Sequence, residues 1–243
     1  MLVLLPPSET KAPGGDGPPL DLDSLSFPEL TPVRRKLADA LVELASDVPS
    51  ALRVLGLSPR QEDELARNAT LWSAPALPAL ERYTGVLYDA LGFGAFTRSQ
   101  RGKAERRLAV ASALFGIVRG ADRIPAYRLS GGTSLPALGT LRGLWRPALE
   151  PILENADPLI VDLRSGAYAA LARIPAAVTV RVVTATGRTV SHHNKAYKGR
   201  LAAVLATTAR EPSTVEGLIS AAERGGIRLS RTGDLELELV TPS

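Results

Sequence analysis

The stretch MLVLLPPSETKAPGGDGPP, residues 1–19, predicts a buried strand that leads into a long loop. Leu2 to Leu5 form a short apolar run that Pro6 and Pro7 bring to an end, as is typical of a strand inside a sheet. The prolines and glycines that follow exclude a helix or a regular strand. Loops that follow buried strands often carry binding residues, so Lys11 is a candidate ligand-binding residue.

The rest of the chain alternates predicted helices and strands. Residues 31–46 show an apolar stripe at helical spacing, and the stretches at 158–165 and 178–186 predict strands. Residues 186–192 are expected to pair with the second of these strands across a hairpin turn at Thr186-Gly187. Further helices are expected at about 98–114, 141–155, 194–210 and 213–225, and an edge strand at 227–240. Residues 1–243 therefore predict a single compact α+β domain with a mixed sheet and several helices.

Composition excludes several classes of protein. The 243 residues contain no cysteine, which rules out disulfides, thiolate metal sites and a cysteine nucleophile. The apolar start is shorter than a signal peptide requires, and no apolar run is long enough to cross a bilayer. We expect a soluble cytoplasmic protein with no membrane partner.

Basic residues are concentrated in one part of the chain. Eight lysines and arginines lie between Arg164 and Arg210, with no Asp or Glu among them. Such a run is either a solvated surface or a surface that an anion approaches. Its densest part is SHHNKAYKGR, residues 191–200, where a strand is expected to give way to a helix. Phosphate-binding candidates here are Lys195, Lys198 and Arg200, and Tyr197 offers a flat face to a base.

His192 and His193 are the only imidazoles in the chain. Adjacent residues of a strand point to opposite faces, so at most one of them can ligate a given metal ion. One histidine could act as a general base or as an axial haem ligand, and a structural role is the alternative. For an enzyme, the candidate catalytic residues are His193, Lys195 and Tyr197.

Three further segments suggest contacts with phosphate. Residues 50–70 predict a helical hairpin whose turn, at Gly56 and Ser58, resembles a helix-hairpin-helix motif. Helix packing without ligand binding is the alternative, and the acidic residues 62–64 oppose DNA. The predicted helix at 98–114 is expected to carry Arg101, Lys103, Arg106 and Arg107 on its polar side, and the first three are candidate DNA-binding residues. Arg128, beside the Gly131-Gly132 turn, could clamp a phosphate or a carboxylate.

Motifs spread along the chain resemble those of the YaaA family. They are PPSETK after the first strand, YTG at 83–85, SALFGIVR at 112–119, YRL at 127–129, Trp145, LRSGAY at 163–168 and KAYKG at 195–199. They occur in the family's order and span nearly the whole chain.

This resemblance implies an α+β domain, DNA binding through a helix-hairpin-helix element, and a role in limiting free iron during peroxide stress. The expected ligand is therefore DNA or a nucleotide-like, phosphate-bearing molecule. The chain departs from the family's usual pattern at His192, His193 and Tyr197. An alternative is thus a specialised enzyme acting on a nucleobase-like small molecule, with haem or a metal held by one histidine.

Overall fold

A seven-stranded sheet forms the centre of the computed structural model, which describes residues 1–184 and 194–241. The strands, in chain order, are Leu2–Leu5 (β1), Leu77–Pro78 (β2), Leu108–Ser112 (β3), Gly116–Arg119 (β4), Arg123–Ile124 (β5), Ser134–Leu135 (β6), Gly139–Thr140 (β7), Ile160–Asp162 (β8), Val178–Val183 (β9), Leu229–Arg231 (β10) and Glu236–Val240 (β11). The central sheet has the order β10-β11-β9-β8-β1-β3-β4. Its five inner strands are parallel, and the edge strands β4 and β10 are antiparallel to their neighbours.

Helices cover both faces of this sheet. They are Thr31–Ala45 (α1), Val48–Leu55 (α2), Asp63–Ala69 (α3), Ala79–Arg82 (α4), Val86–Leu91 (α5), Arg98–Arg107 (α6), Leu141–Glu154 (α7), Gly166–Ala169 (α8), Asn194–Thr207 (α9) and Val215–Arg224 (α10). One layer contains α5, α6 and α9, and another contains α1 and α7. The two layers lie on opposite faces, since all four residues of β1 are buried.

Buried polar side chains close the edge of the sheet at β4. Arg34 of α1 is fully buried and donates to the carbonyl oxygens of Phe115 and Ile117 at 3.0 and 2.8 Å. A third bond, of 2.7 Å, reaches the Ser26 carbonyl. Carbonyl oxygens at the edge strand would otherwise lack donor partners, so the Arg34 guanidinium takes the place of a neighbouring strand.

The mixed sheet and the several helices expected from the sequence are confirmed, and the strand order makes the arrangement α/β with a mostly parallel sheet. The predicted helix at 98–114 ends at Arg107, where β3 begins. The tail predicted as one edge strand is a hairpin of β10 and β11, in which only β10 lies at the edge. The predicted hairpin turn at residues 186–187 lies outside the described residues.

The segment at 50–70 contains two helices, α2 and α3, joined by a turn. Gly56 ends α2 with φ at 64°, a conformation that favours glycine, and a short 3-10 turn at Pro59–Gln61 precedes α3. A helical pair is therefore present, but its function as a nucleic-acid-binding hairpin stays a prediction.

Candidate functional site

The topology of the sheet marks a crevice between β1 and β8. These strands are parallel neighbours, and the chain leaves β1 toward β3 on one side and β8 toward β9 on the other. In open α/β sheets, ligands bind at the carboxyl ends of strands where the connections diverge in this way. The loops at this point are residues 6–11 after β1 and 163–165 after β8.

Lys11 lies in the first of these loops and is 6% exposed. Its Nζ donates to the carbonyl oxygens of Ser8 and Glu9 at 3.0 and 3.4 Å, and lies 4.3 Å from the ring centroid of Tyr127. Burial lowers the pKa of Lys11 from 10.5 to about 8, although the negative charge of Glu9 opposes this shift. An amine with this pKa is protonated at neutral pH and loses its proton in mildly basic solution.

Beneath Lys11, three hydroxyl groups form a buried chain. The hydroxyls of Tyr83 and Tyr127 share a hydrogen bond of 2.8 Å, and Tyr127 shares a second, of 2.7 Å, with Ser112 at the end of β3. The Phe115 amide donates to Ser112 Oγ at 3.0 Å. Burial raises the pKa of Tyr83 to about 12 and raises the pKa of Tyr127 well above its ordinary value, so both phenols remain neutral hydrogen-bonding groups.

Arg128 lies in the segment after β5 and pairs with Glu9 of the loop after β1. Arg128 Nη1 lies 3.2 Å from Glu9 Oε2, and the Ser130 hydroxyl donates to Glu9 Oε1 at 3.1 Å. Asn68 of α3 fixes the backbone behind Arg128, since its side chain accepts from the Arg128 amide at 2.8 Å and donates to the Arg128 carbonyl at 2.9 Å. Arg128 Nε is buried and has no hydrogen-bond partner among the described residues.

Tyr168 connects this group to the loop after β8. Its hydroxyl accepts a hydrogen bond of 3.2 Å from the Gly131 amide. Burial raises the pKa of Tyr168 well above its ordinary value, the charge of Glu9 adds to this shift, and the charge of Arg128 opposes it. Tyr168 follows the β8 loop directly, in α8. We call the residues that meet here the switch-point cluster; they are Glu9, Lys11, Tyr83, Ser112, Tyr127, Arg128, Ser130 and Tyr168.

Helix α9 supplies the remaining basic candidates. Lys198 Nζ donates to the carbonyl oxygen of Leu163 at 3.1 Å, immediately after β8, and burial lowers its pKa. Lys195 and Arg200 are exposed, and the Arg200 guanidinium lies 5.4 Å from the ring of the half-buried Tyr197. The structure thus places Lys198 at the strand end next to the switch-point cluster. His192 and His193 lie outside the described residues.

Arg82 holds the loop that carries Lys11, a role that sequence reasoning missed. It is fully buried and donates to carbonyl oxygens of three segments. The acceptors in the first segment are the carbonyl oxygens of Ala12 and of Gly14, the latter at 2.8 Å. The other two segments supply the carbonyl oxygens of Pro75 and Ile124, each at 3.0 Å. Nothing in the local sequence distinguishes Arg82 from a surface arginine, because its acceptors are backbone atoms distant in the chain.

The residues predicted to contact DNA lie elsewhere. In the α2–α3 turn, the amides of Gly56 and Ser58 already donate, to the Arg53 carbonyl at 3.4 Å and to Gln61 Oε1 at 3.1 Å. Arg101 donates to Glu81 at 3.1 Å and to the Gly94 carbonyl at 3.0 Å. The remaining candidates, Lys103 and Arg106, are half-buried and exposed on α6. The structure does not bring these residues to the switch-point cluster.

The described part of the chain has neither a cluster of potential metal ligands nor a helix that could span a membrane. Within residues 1–184 and 194–241, no three His, Asp or Glu side chains come together as metal ligands would. Over the same ranges, no helix has the length and apolar character needed to cross a membrane.

Comparison with known proteins places the chain in a family. Residues 1–227 match the family described as peroxide stress protein YaaA. The chain belongs to the YaaA family. A UPF0246 protein of Corynebacterium efficiens is 51% identical, over 93% of this chain and 94% of the relative. One from Streptomyces coelicolor is 47% identical over 91% and 88%. A more distant relative from Campylobacter jejuni is 28% identical, over 85% of both chains.

The YaaA match covers the whole candidate site. Residues 1–227 include every member of the switch-point cluster and all of α9. Only the carboxyl-terminal hairpin of β10 and β11 lies beyond the match.

Proposed function

We propose that this YaaA-family protein acts in the peroxide stress response by binding a phosphate-bearing, nucleotide-like small molecule at the switch-point cluster. One observation carries the proposal. Two cationic side chains from separate segments, Lys11 and Arg128, both contact Glu9 at the carboxyl end of a parallel sheet. Anionic ligands are bound at this position in many α/β proteins.

The depth of these cations favours a small ligand over duplex DNA. Lys11 is 6% exposed, and the side chain of Arg128 is 17% exposed. A terminal phosphate of a small molecule can enter a recess, whereas a duplex presents its phosphates to side chains that protrude. Arg128 also has a planar guanidinium whose donors match two phosphate oxygens at once.

The proposal is tested by calorimetric titration with adenosine 5′-monophosphate, with adenosine as the probe that lacks phosphate. We expect the monophosphate to bind and adenosine to bind at least about tenfold more weakly, since a charged hydrogen bond contributes about 1.5–3 kcal/mol. Arg128→Gln should weaken monophosphate binding by about tenfold or more. Arg231→Gln, which removes an equally charged residue from the far strand β10, should leave it unchanged.

Equal affinity for the two probes, or equal loss in both variants, would show that the cluster does not recognise phosphate. Equal affinity of the two probes would also favour the alternative, which is an enzyme that acts on a nucleobase-like molecule. Such an enzyme would have the Lys11 amine and the hydroxyl chain below it as acid and base groups.

Nucleic acid is a second candidate ligand, supported by the packing of α6 against α9. Both helices lie in the same layer, and each has exposed cations, Arg106 on α6 and Lys195 and Arg200 on α9. A basic layer of this kind can follow a phosphate backbone. Binding of a DNA duplex that weakens steeply with salt, and that Arg128→Gln leaves intact, would identify this surface as the functional one.

A further inference from the structure

Glu9 occupies the part of the switch-point cluster where an anion would bind. Its two carboxylate oxygens each have one partner, Oε1 the Ser130 hydroxyl at 3.1 Å and Oε2 the Arg128 guanidinium at 3.2 Å. Two donors from one segment that converge on two oxygens form a receptor for a planar or tetrahedral oxyanion. In the structure, the protein's own carboxylate occupies that receptor.

The receptor is held firmly and Glu9 is not. Asn68 bonds both the amide and the carbonyl of Arg128, which fixes the receptor from behind. Glu9 lies near the tip of the loop after β1, with its side chain 46% exposed. Its two contacts are longer than the 2.7–2.9 Å that is common for charged pairs, and half-exposed ion pairs of this kind contribute little.

Glu9 does not use every hydrogen-bond donor of the receptor. Arg128 Nε has no hydrogen-bond partner in the described part of the chain, so a third donor faces no acceptor. In the same loop, a Cβ at Gly132 would meet no atom within 4 Å, whereas one at Gly131 would lie 3.1 Å from the Tyr168 ring, so the open space is on the Gly132 side. A phosphate has one more oxygen than a carboxylate with which to fill such a site.

We infer that Glu9 is an internal stand-in for the ligand, and that the phosphate of the ligand displaces its carboxylate from Arg128 and Ser130. This inference rests on the proposed function and states how ligand binding at the switch-point cluster is regulated. Glu9 keeps the receptor occupied, so a ligand must bind strongly enough to displace the Glu9 carboxylate. Weakly charged anions do not bind strongly enough to do so. A dianionic phosphate monoester, with its larger charge, is the ligand class that the displacement selects.

The test is titration of Glu9→Gln and Glu9→Ala with adenosine 5′-monophosphate. Both variants should bind about two- to fivefold more tightly than the wild type, the range expected when a competing exposed ion pair is removed. The matched control is Glu216→Gln. Glu216 is also an exposed partner of an arginine, Arg231, but it lies by β10, four strands from β1, and its loss should not change affinity.

A second measurement needs no ligand. Because the charge of Glu9 raises the pKa of Lys11, Glu9→Gln should lower that pKa, which is measurable by NMR of the lysine side chains. Arg128→Gln should weaken binding in both the wild-type and the Glu9→Gln background.

The outcomes separate the two proposals. If the monophosphate binds and Arg128→Gln weakens it, but the Glu9 variants bind no more tightly than the wild type, the stand-in role is wrong and the phosphate site remains. If neither the wild type nor the Glu9 variants bind it, both proposals are wrong. An unchanged Lys11 pKa in Glu9→Gln would also overturn the stand-in role, because Glu9 would then not lie at the receptor.

Discussion

Replacing Lys11 with methionine should make the protein more stable at neutral pH, although it removes a proposed ligand-binding residue. Lys11 is buried, and no carboxylate in the described part of the chain forms a salt bridge with it. Burial lowers its pKa from 10.5 to about 8, so the folded protein holds this proton less tightly than the unfolded chain does. Methionine has a similar length and no charge to desolvate.

The sign and size of the effect follow from this pKa. Between pH 8 and pH 10.5 the unfolded chain keeps a proton that the folded protein has released, so stability rises with pH across that window. Below about pH 8 both states are protonated and the full cost of burial is present. The shift corresponds to about 3 kcal/mol. Methionine also loses the bonds to the Ser8 and Glu9 carbonyls, so we expect a net gain of about 1–2 kcal/mol at pH 7.

Urea unfolding of the wild type and Lys11→Met between pH 7 and pH 10 measures this effect. The gain in free energy of unfolding should be largest at pH 7 and should shrink as pH rises from 8 to 10. Tyrosines such as Tyr83, whose pKa is raised to about 12, add their own pH dependence, but it is common to both proteins and cancels in the difference. Lys36→Met, at an exposed position of α1, is the control. A variant less stable than wild type at pH 7, or a difference that does not vary with pH, would refute the reasoning.

Two substitutions test how the scaffold is held together. Arg82→Lys keeps a positive charge but cannot reach four loop carbonyls at once, so it should lower the free energy of unfolding by about 2–4 kcal/mol in urea denaturation. Gly199→Ala would place a Cβ 2.2 Å from the Leu87 carbonyl oxygen, where α9 crosses α5, and should cost about 1–3 kcal/mol by the same measurement. Gly94→Ala, whose Cβ would meet nothing within 4 Å, should change stability by less than about 0.5 kcal/mol, and a loss as large as that of Gly199→Ala would contradict the packing argument.

Apolar runs and turn residues were sufficient to predict most of the longer helices and, in the central sheet, the strands β1, β8 and β9. The run at Leu2–Leu5, stopped by two prolines, gave β1 and the loop that carries Lys11. The pattern failed at residues 98–114, where a polar helix passes directly into β3 without a glycine or proline to mark the boundary. Helical and strand periods cannot be told apart over a short apolar stretch such as LAVAS.

The contacts within the site could not be predicted in the same way. Lys11 and Arg128 were both candidates, but their relation depends on Glu9, which binds one and shifts the pKa of the other. Arg107 was expected on the polar side of a basic helix. It is instead buried and donates to the Ala206 carbonyl at the end of α9, while pairing with Glu211. A sequence shows that an arginine is present, and only the fold shows whether its partner is solvent, a ligand or a backbone carbonyl.

The two ends of the sheet's strands differ in how the charges of buried cationic side chains are compensated. At the amino-terminal edge of the sheet, the buried Arg107 has both a carboxylate and carbonyl partners. At the carboxyl edge, Lys11 is buried without an ion pair, and Arg128 has a donor with no acceptor among the described residues. In the part of the chain that the structure describes, the buried Arg34 and Arg82 also lack a carboxylate partner, but they donate to backbone carbonyls that hold the scaffold. At the carboxyl edge, the anion that we propose as ligand would offset the cost of burial. With no cysteine in the chain, a role in peroxide stress cannot operate through oxidation of the protein's own thiols, and we propose that it depends on the ligand bound at this edge.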